Sequence, residues 1–383
     1  MMSIILLGAS GSIGRQTLDV MKKNRQDFRL FAFSVGKRTR IISSIVKSFP
    51  EVKHICIKDK KVAKAYQKRY PNITFYHGDE GLVELIKNSE GEMVVNALVG
   101  FVGFYPTIVA LENNKKVALA NKESLVVGGE LINKLLKEGK GKLYPIDSEH
   151  SALWKCLKVE DNGVKKLHLT ASGGAFRKLS LEELNNVTPM DALNHPTWKM
   201  GNKITIDCAT MMNKAFELIE AYYLFGYKTD QLSITLHDES YLHSYVEYDD
   251  YFRGEINKPD MRNPIKFALY QGDIPFDTKV FASLEDLKGL TFHKFDINRY
   301  PAVKYASLVI EKGGNLGAII NASNEVAVNA FLRQEIPFLM IEEIIAKSVK
   351  NVKFIKNPSL EDLIKVDRET REFASRLVKE GHK

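Results

Sequence analysis

Apolar residues in the first 150 positions fall into short unbroken runs that alternate with stretches of helical spacing. The runs at Ser3–Leu7, Arg29–Gly36, His54–Ile57, Ile73–Phe75, Met93–Leu98, Lys116–Ala120 and Leu143–Ile146 predict strands. The stretches from Ile13 to Met21 and over 59–70, 81–88, 104–114 and 122–138 predict helices. Strand–helix alternation of this kind predicts a doubly wound parallel sheet, in which ligands lie beyond the carboxyl ends of the strands.

After His150 the pattern changes. Leu167–Thr170 predicts a strand running into a small-residue turn, and Ile204–Asp207 a short strand meeting a helix whose apolar face includes Met212, Phe216 and Ile219. Between them Asn194–Asn202 has no clean period and carries Pro196 and Gly201, the composition of a loop able to cover a ligand. Leu232–His237 and His243–Tyr248 alternate as strands of an antiparallel sheet, and Pro259–Pro264 opens a helix. From Pro301 onward only helices are predicted, over 301–312, 317–333, 337–350 and 359–380, with no chemistry of their own. The expected class is α/β: a Rossmann-like doubly wound sheet over 1–147, a central α+β domain over 148–271, a linker over 272–296 and a helical bundle over 297–383.

Composition narrows the function classes. Hydrophobic content of 44% and charged content of 27% are ordinary for a soluble protein. No run approaches the roughly 18 apolar residues of a membrane span. The apolar start at Met1–Leu7 reads as a first strand and not as a signal peptide, so a cytoplasmic protein is expected. Cys56, Cys156 and Cys208 are far apart and form no Cys-x-x-Cys pair, as expected of free thiols in a reducing compartment. The net charge of +8 is spread along the chain without an arginine-rich tail or a zinc-finger spacing. A phosphate-bearing small molecule accounts for it as well as nucleic acid does and is the preferred reading.

Gly8, Gly11 and Gly14 lie between the first strand and the first helix, where glycines admit a pyrophosphate and a helix start offers free N–H groups. The second strand ends in Gly36-Lys37-Arg38-Thr39-Arg40, with three cations and no acid, which favours the 2′-phosphate of NADP over the bare ribose of NAD. Asp147 and Glu149 follow the last parallel strand. On an extended backbone they would point to one face and share either a proton or a cation, unless both are solvated surface acids. Their place on the ligand side favours a hard divalent cation. Glu217, one helical turn after Asn213, could supply a third carboxylate. Asn213 and Lys214 in the early turns of that helix would favour phosphate, and Ser172 with the amides after it forms a plausible anion cradle. Lys122, at a strand end, could approach a substrate phosphate or hydroxyl.

Six motifs, Gly8-Ala-Ser-Gly-Ser-Ile-Gly14, Ala120-Asn-Lys-Glu-Ser-Leu125, Pro145-Ile-Asp-Ser-Glu-His150, Leu169-Thr-Ala-Ser-Gly-Gly174, His195-Pro-Thr-Trp-Lys-Met-Gly201 and Ala209-Thr-Met-Met-Asn-Lys214, closely resemble the 1-deoxy-D-xylulose-5-phosphate reductoisomerase family. The resemblance covers essentially the whole chain, including Asn321-Ala-Ser-Asn-Glu-Val326. It implies conversion of 1-deoxy-D-xylulose 5-phosphate to 2-C-methyl-D-erythritol 4-phosphate in the non-mevalonate isoprenoid route, with NADPH and Mg2+, Mn2+ or Co2+. It implies a metal held by Asp147, Glu149 and Glu217, with Lys122 joining them in catalysis. Substrate phosphate would meet Ser172, Cys208, Asn213 and Lys214, and substrate hydroxyls Ser148 and Lys122. A lid would bring His195, Trp198 and Met200 over the substrate. NADPH would contact Ser10, Gly11, Ser12, Ile13, Gly36, Lys37, Arg38, Asn121, Glu123 and Gly201. A homodimer is implied, with residues 1–147 binding NADPH and 148–271 carrying catalysis and dimerisation.

Three departures from the family pattern stand out. Cys208 replaces a phosphate-binding serine with a weaker hydrogen-bond donor. His237-Asp-Glu-Ser240 replaces His-Pro-Gln-Ser, and Arg38 replaces an asparagine beside the adenosine phosphate. The competing readings are a sugar-phosphate oxidoreductase without the isomerase step and a nucleotide-sensing regulator that has lost its chemistry. Three retained metal acids argue against the second.

Overall fold

The computed structural model describes residues 1–193, 200–274 and 285–381, without the side chain at 286. They form two compact units. One comprises Met1–Ser124, Leu131–Asp147 and the segment beginning at Asp260; the other comprises Leu125–Glu130, Ser148–Pro259 and the remaining C-terminal residues.

The first unit runs β1 (Met2–Leu7), α1 (Ser12–Lys23), β2 (Phe28–Val35), α2 (Ile42–Ser48), β3 (His54–Ile57), α3 (Lys60–Arg69), β4 (Thr74–His77), α4 (Gly78–Asn88), β5 (Met93–Asn96), α5 (Phe104–Glu112), β6 (Lys116–Leu119), α6 (Glu123–Lys137) and β7 (Lys142–Pro145). All seven strands are parallel, in the order β4-β3-β2-β1-β5-β6-β7. Ile4, Ile5, Leu6 and Leu7 are all fully buried, as unbroken apolar strands covered on both faces should be. The strand order reverses at β1 and β5, so the carboxyl end of β1 is the topological switch point where the glycine turn sits. α6 is interrupted at Gly128 (φ −144°, ψ 37°), and its residues Leu125–Glu130 group with the second unit.

The chain continues with α7 (Ser148–Val159), β8 (Lys166–Ala171), α8 (Pro189–Leu193), α9 (Asn202–Thr210), α10 (Met212–Phe225), β9 (Leu232–Leu236), β10 (Leu242–Glu247), β11 (Phe252–Ile256), α11 (Arg262–Leu269), β12 (His293–Lys294), α12 (Lys304–Lys312), α13 (Leu316–Leu332), α14 (Met340–Asn351) and α15 (Leu360–Glu380). α11 belongs to the first unit, where Tyr270 just after it packs edge-on against Phe28. The others build the second unit around a sheet of order β11-β10-β8-β9-β12. Within it α13 is buried continuously from Leu316 to Asn324, which makes it the central helix of the C-terminal bundle. Gly317 lets α13 approach the carbonyl of Val126, a position that a Cβ would overlap.

Three expectations change. β7 ends at Pro145 and α7 begins at Ser148, so Asp147 lies in the turn and Glu149 in the first helical turn. The period-two argument for their convergence therefore fails, because an acid in a first helical turn is stabilised by the helix dipole. Ile204–Asp207 is helical, within α9. β-branched residues there suggested a strand, but burial of Thr205, Ile206 and Ala209 inside the unit decides for helix. The second sheet is mixed and not antiparallel: β8 runs parallel to β9 and antiparallel to β10, so β9 and β10 are not neighbours. A chain that crosses from β9 past β8 before pairing leaves no alternation signal of its own.

Candidate active site

In the first unit the glycine turn is set by backbone requirements. Gly8 has φ +83°, and a Cβ there would stand 2.6 Å from the carbonyl oxygen of Ala97. A Cβ on Gly14 would overlap the Gly8 carbonyl, so α1 can begin this close to β1 only with glycine at both positions. Ser34 anchors the turn: its Oγ accepts from Gly8 N–H at 2.9 Å and its carbonyl from Ala9 N–H at 2.8 Å. Gly11 is the N-cap of α1 and makes no side-chain cap, which leaves first-turn donors at Ser12 and Ile13 for an anion. At the end of β2, Gly36, Lys37 and Arg38 are exposed, and nothing lies within 4 Å of the position of a Gly36 Cβ. The turn and the cationic strand end thus fit a dinucleotide with an extra phosphate.

Asn121 is fully buried at the carboxyl end of β6. Its Nδ2 donates to the carbonyls of Leu98 (3.1 Å) and Gly100 (3.0 Å), while its Oδ1 accepts from Ser124 N–H and Oγ. These bonds commit the side chain to shaping the loop after β5. Lys122 is 6% exposed and its Nζ lies 2.6 Å from Asp147 Oδ2. Glu123 receives a hydrogen bond from Asn121 Nδ2 at 3.2 Å.

In the second unit the polar groups converge on Lys214, which is 3% exposed. Its Nζ donates to Glu149 Oε1 at 3.1 Å and to the Thr170 carbonyl at 2.5 Å, and it pairs closely with Glu217. Asn213 Nδ2 donates to Glu217 Oε1 at 2.5 Å, and Ser148 Oγ to Glu149 Oε2 at 2.6 Å. α9 meets α10 through Met211, a non-glycine residue at φ +61°, a conformation held only where the surroundings dictate it. That joint turns the N-terminus of α10, with Asn213 and Lys214, toward the end of β8. There Gly173 (φ +80°) and Gly174 (φ +71°) follow Ser172. A Cβ on Gly174 would stand 2.5 Å from the carbonyl oxygen of Cys208, so the backbone of α9 backs the Ser172 turn directly.

Sequence reasoning missed two supports. His150 is fully buried and donates Nε2–H to the Glu217 carbonyl at 2.8 Å, since a carbonyl can only accept. Its Nδ1 faces Glu220 Oε2 at 3.4 Å. This bond ties α7 to α10 and holds Glu149 and Glu217 in register. The available signal was Glu220, an acid one turn beyond Glu217 on a helix that buries that face. Of the lid positions, His195 and Trp198 lie outside the described residues; Gly201 is the exposed N-cap of α9. The remaining cysteines are remote from chemistry: burial pushes the thiol of Cys56 up to about 12 and that of Cys156 up to about 11.

Profiles of three domains match in sequence order. Residues 4–129 match "1-deoxy-D-xylulose 5-phosphate reductoisomerase", 143–225 its C-terminal domain, and 256–373 the "DXP reductoisomerase C-terminal domain". A protein of Bacillus thuringiensis subsp. konkukian named 1-deoxy-D-xylulose 5-phosphate reductoisomerase 2 is 42% identical over 99% of this chain and 100% of its own length. The chain belongs to the 1-deoxy-D-xylulose 5-phosphate reductoisomerase family. A reductoisomerase of Listeria monocytogenes is 39% identical over 99% of this chain and 100% of its own. Among solved structures, a DOX-P reductoisomerase in complex with NADPH, fosmidomycin and magnesium superposes with TM-score 0.91 at 34% identity, covering 99% of this chain and 98% of that one. The Zymomonas mobilis reductoisomerase in complex with NADPH gives 0.89 at 35% identity, covering 99% of each.

Departures from the reductoisomerase pattern acquire partners in the structure. Asp238 Oδ2 accepts from Arg177 Nε at 2.8 Å, tying the strand-end loop to the segment after the Ser172 turn. Glu239 accepts from Thr291 N–H at 3.0 Å and Thr291 Oγ1 at 3.0 Å. The two acids therefore serve as internal braces of the second unit.

Proposed function

We propose that this chain converts 1-deoxy-D-xylulose 5-phosphate to 2-C-methyl-D-erythritol 4-phosphate, a step of the non-mevalonate isoprenoid route, using NADPH and a divalent cation. The observation that carries the reading is the convergence of Glu149, Glu217 and Asn213 with a buried Lys214 at the end of β8. Carboxylate oxygens balanced by one buried ammonium form a donor set suited to a hard cation such as Mg2+ or Mn2+, with Co2+ a further candidate. Asp147, Glu149 and Glu217 would hold it; Asp147 stands two residues before Glu149 in the chain. When bound, such an ion acts as a Lewis acid toward the substrate's oxygens.

The protein's own groups then have distinct tasks. Ser172, Asn213 and Lys214, with Cys208 alongside, bind the substrate phosphate and fix one end of the chain. Ser148 orients a substrate hydroxyl while keeping Glu149 in place through their 2.6 Å bond. Lys122, paired with Asp147, donates to oxygen that gains negative charge during the rearrangement. The rearrangement moves one carbon–carbon bond without loss of atoms and leaves an aldehyde. Bound NADPH would supply the hydride for its reduction, with one proton completing the balance. NADPH would be held by Ser10, Gly11, Ser12, Ile13, Asn121, Glu123 and Gly201, with Gly36, Lys37 and Arg38 receiving its 2′-phosphate. In this reading residues 1–147 bind cofactor, 148–271 carry chemistry and dimer contacts, 272–296 link, and 297–383 form an accessory helical domain.

The test is NADPH oxidation by the purified protein. Consumption is expected only with the deoxyketose phosphate and a divalent cation together, and the product should be the branched polyol by NMR. Full activity in excess chelator would remove the metal, and a linear polyol would favour the oxidoreductase without rearrangement.

A homodimer fits the exposed edge of the second sheet. β11 presents Phe252 (66% exposed) and Ile256 (39%) on the edge of the sheet formed by the described residues, next to Tyr251 (41%). Edges of this kind are otherwise covered or charged. Light scattering should give twice the 43.3 kDa chain mass, and Phe252→Lys should shift it toward the monomer; a wild-type monomer at micromolar concentration rejects the assembly. No described helix is long and apolar enough to cross a membrane. With three free cysteines, a cytoplasmic location is the natural setting.

A further inference from the structure

The C-terminal helices carry a polar residue that reaches the phosphate-binding elements from behind. Asn324 is fully buried on α13, and its Nδ2 donates to Asp207 Oδ1 on α9 at 2.8 Å. A carboxylate neighbour fixes which end of the amide faces it. Asp207, 2% exposed, also pairs with Lys203 Nζ at 2.9 Å, one turn earlier on α9. Lys203 in turn lies over the ring of Phe216 on α10, at 5.2 Å from its centroid. The next residue after Asp207 is Cys208, whose carbonyl packs against Gly174 in the turn after Ser172. On α13 itself, Asn321 Nδ2 donates to Glu325 Oε1 at 3.0 Å, and Glu325 holds Arg371 of α15 at 2.9 Å. Two sets of charge-assisted bonds thus meet on α13, one reaching α9 through Asn324 and one reaching α15 through Glu325.

We propose that Asn324, acting through Asp207 and Lys203, is a positioning residue for substrate phosphate: it sets α9 against both the Ser172 turn and the N-terminus of α10. The inference rests on the reading that Ser172, Asn213 and Lys214 bind that phosphate. A hydrogen bond to a buried carboxylate is among the stronger ones, and its loss lets α9 shift relative to the two elements it spaces. Asn324 touches none of the reacting groups, so its effect falls on affinity and not on the chemical step. The bundle that showed no chemistry of its own in the sequence therefore contributes to binding.

The experiment compares wild type, Asn324→Leu, Asn324→Asp and the exchange Asp207→Asn/Asn324→Asp. Four constants are measured for each: KM and kcat for the sugar phosphate, the inhibition constant of inorganic phosphate, and NADPH affinity by fluorescence. Asn324→Leu is expected to raise KM and the phosphate inhibition constant together by about 10-fold or more, with kcat within about 3-fold and NADPH affinity unchanged. Asn324→Asp sets two buried carboxylates against each other and should do worse. The exchange restores a donor–acceptor pair and should return phosphate affinity to within about 3-fold of wild type. A folded Asn324→Leu with wild-type phosphate inhibition would overturn the proposal. Should that variant fail to fold, an exchange variant no better than Asn324→Asp would do the same. Absence of competition by phosphate in the wild type would instead reject the underlying phosphate site.

Discussion

Glu149→Gln is expected to lower turnover on the order of 10³-fold while leaving NADPH binding within about 2-fold of wild type. The substitution keeps the volume and lets Ser148 Oγ keep an oxygen acceptor at its present 2.6 Å position. What it removes is one negative charge from the set that would hold the cation. A Lewis acid contributes several kcal/mol to such a step, which corresponds to a loss of this size. The glycine turn is shaped by Gly8, Gly14, Ser34 and Ala97, all within the first unit, which is why cofactor affinity should survive. Steady-state kinetics at saturating metal, together with NADPH fluorescence titration, give both numbers. Turnover equal to wild type would remove Glu149 from the metal site.

Lys214→Met is expected to lower stability by an amount that depends on the cation. Lys214 Nζ is the ammonium that Glu149 and Glu217 both contact, and it is buried. Methionine preserves much of the stem but leaves the two carboxylates facing each other without that charge. Breaking a buried pair costs about 3–5 kcal/mol. In chelator the variant should therefore melt well below wild type. Added Mg2+ replaces the missing positive charge and should raise its Tm by more than it raises that of the wild type. Catalysis should not recover, because the phosphate loses its ammonium partner. Thermal melts with and without chelator measure this directly. Equal metal-induced shifts in the two proteins would contradict the shared position of Lys214 between the carboxylates.

Much of this organisation was legible in the residues. The parallel sheet could be read because Ile4–Leu7 and its counterparts are buried on both faces and so contain no polar interruptions. Gly8 and Gly14 stood out because only glycine permits the turn they make. Glu217, Asn213 and Lys214 lie within two turns of one helix, so their proximity follows from helical periodicity alone. The relation of Glu149 to that helix was harder. Its place in the first turn of α7 depends on where a helix starts, and the extended reading of Asp147–Glu149 does not hold there. α9 was misread because Ile204, Thr205 and Ile206 favour strands locally, while their burial in the second unit is a nonlocal fact. His150, Glu220 and Asn324 act through contacts between elements distant in sequence, and no local pattern announces such pairs.

The contact between Gly174 and the Cys208 carbonyl bears on how this lineage could change. The turn after Ser172 is shaped by a main-chain atom that every amino acid possesses. Position 208 can therefore exchange oxygen for sulfur by drift without disturbing the scaffold, whereas position 174 has no such latitude. Variation in this part of the protein should accumulate where side chains are decorative to the backbone and stall where the backbone leaves no room for a side chain.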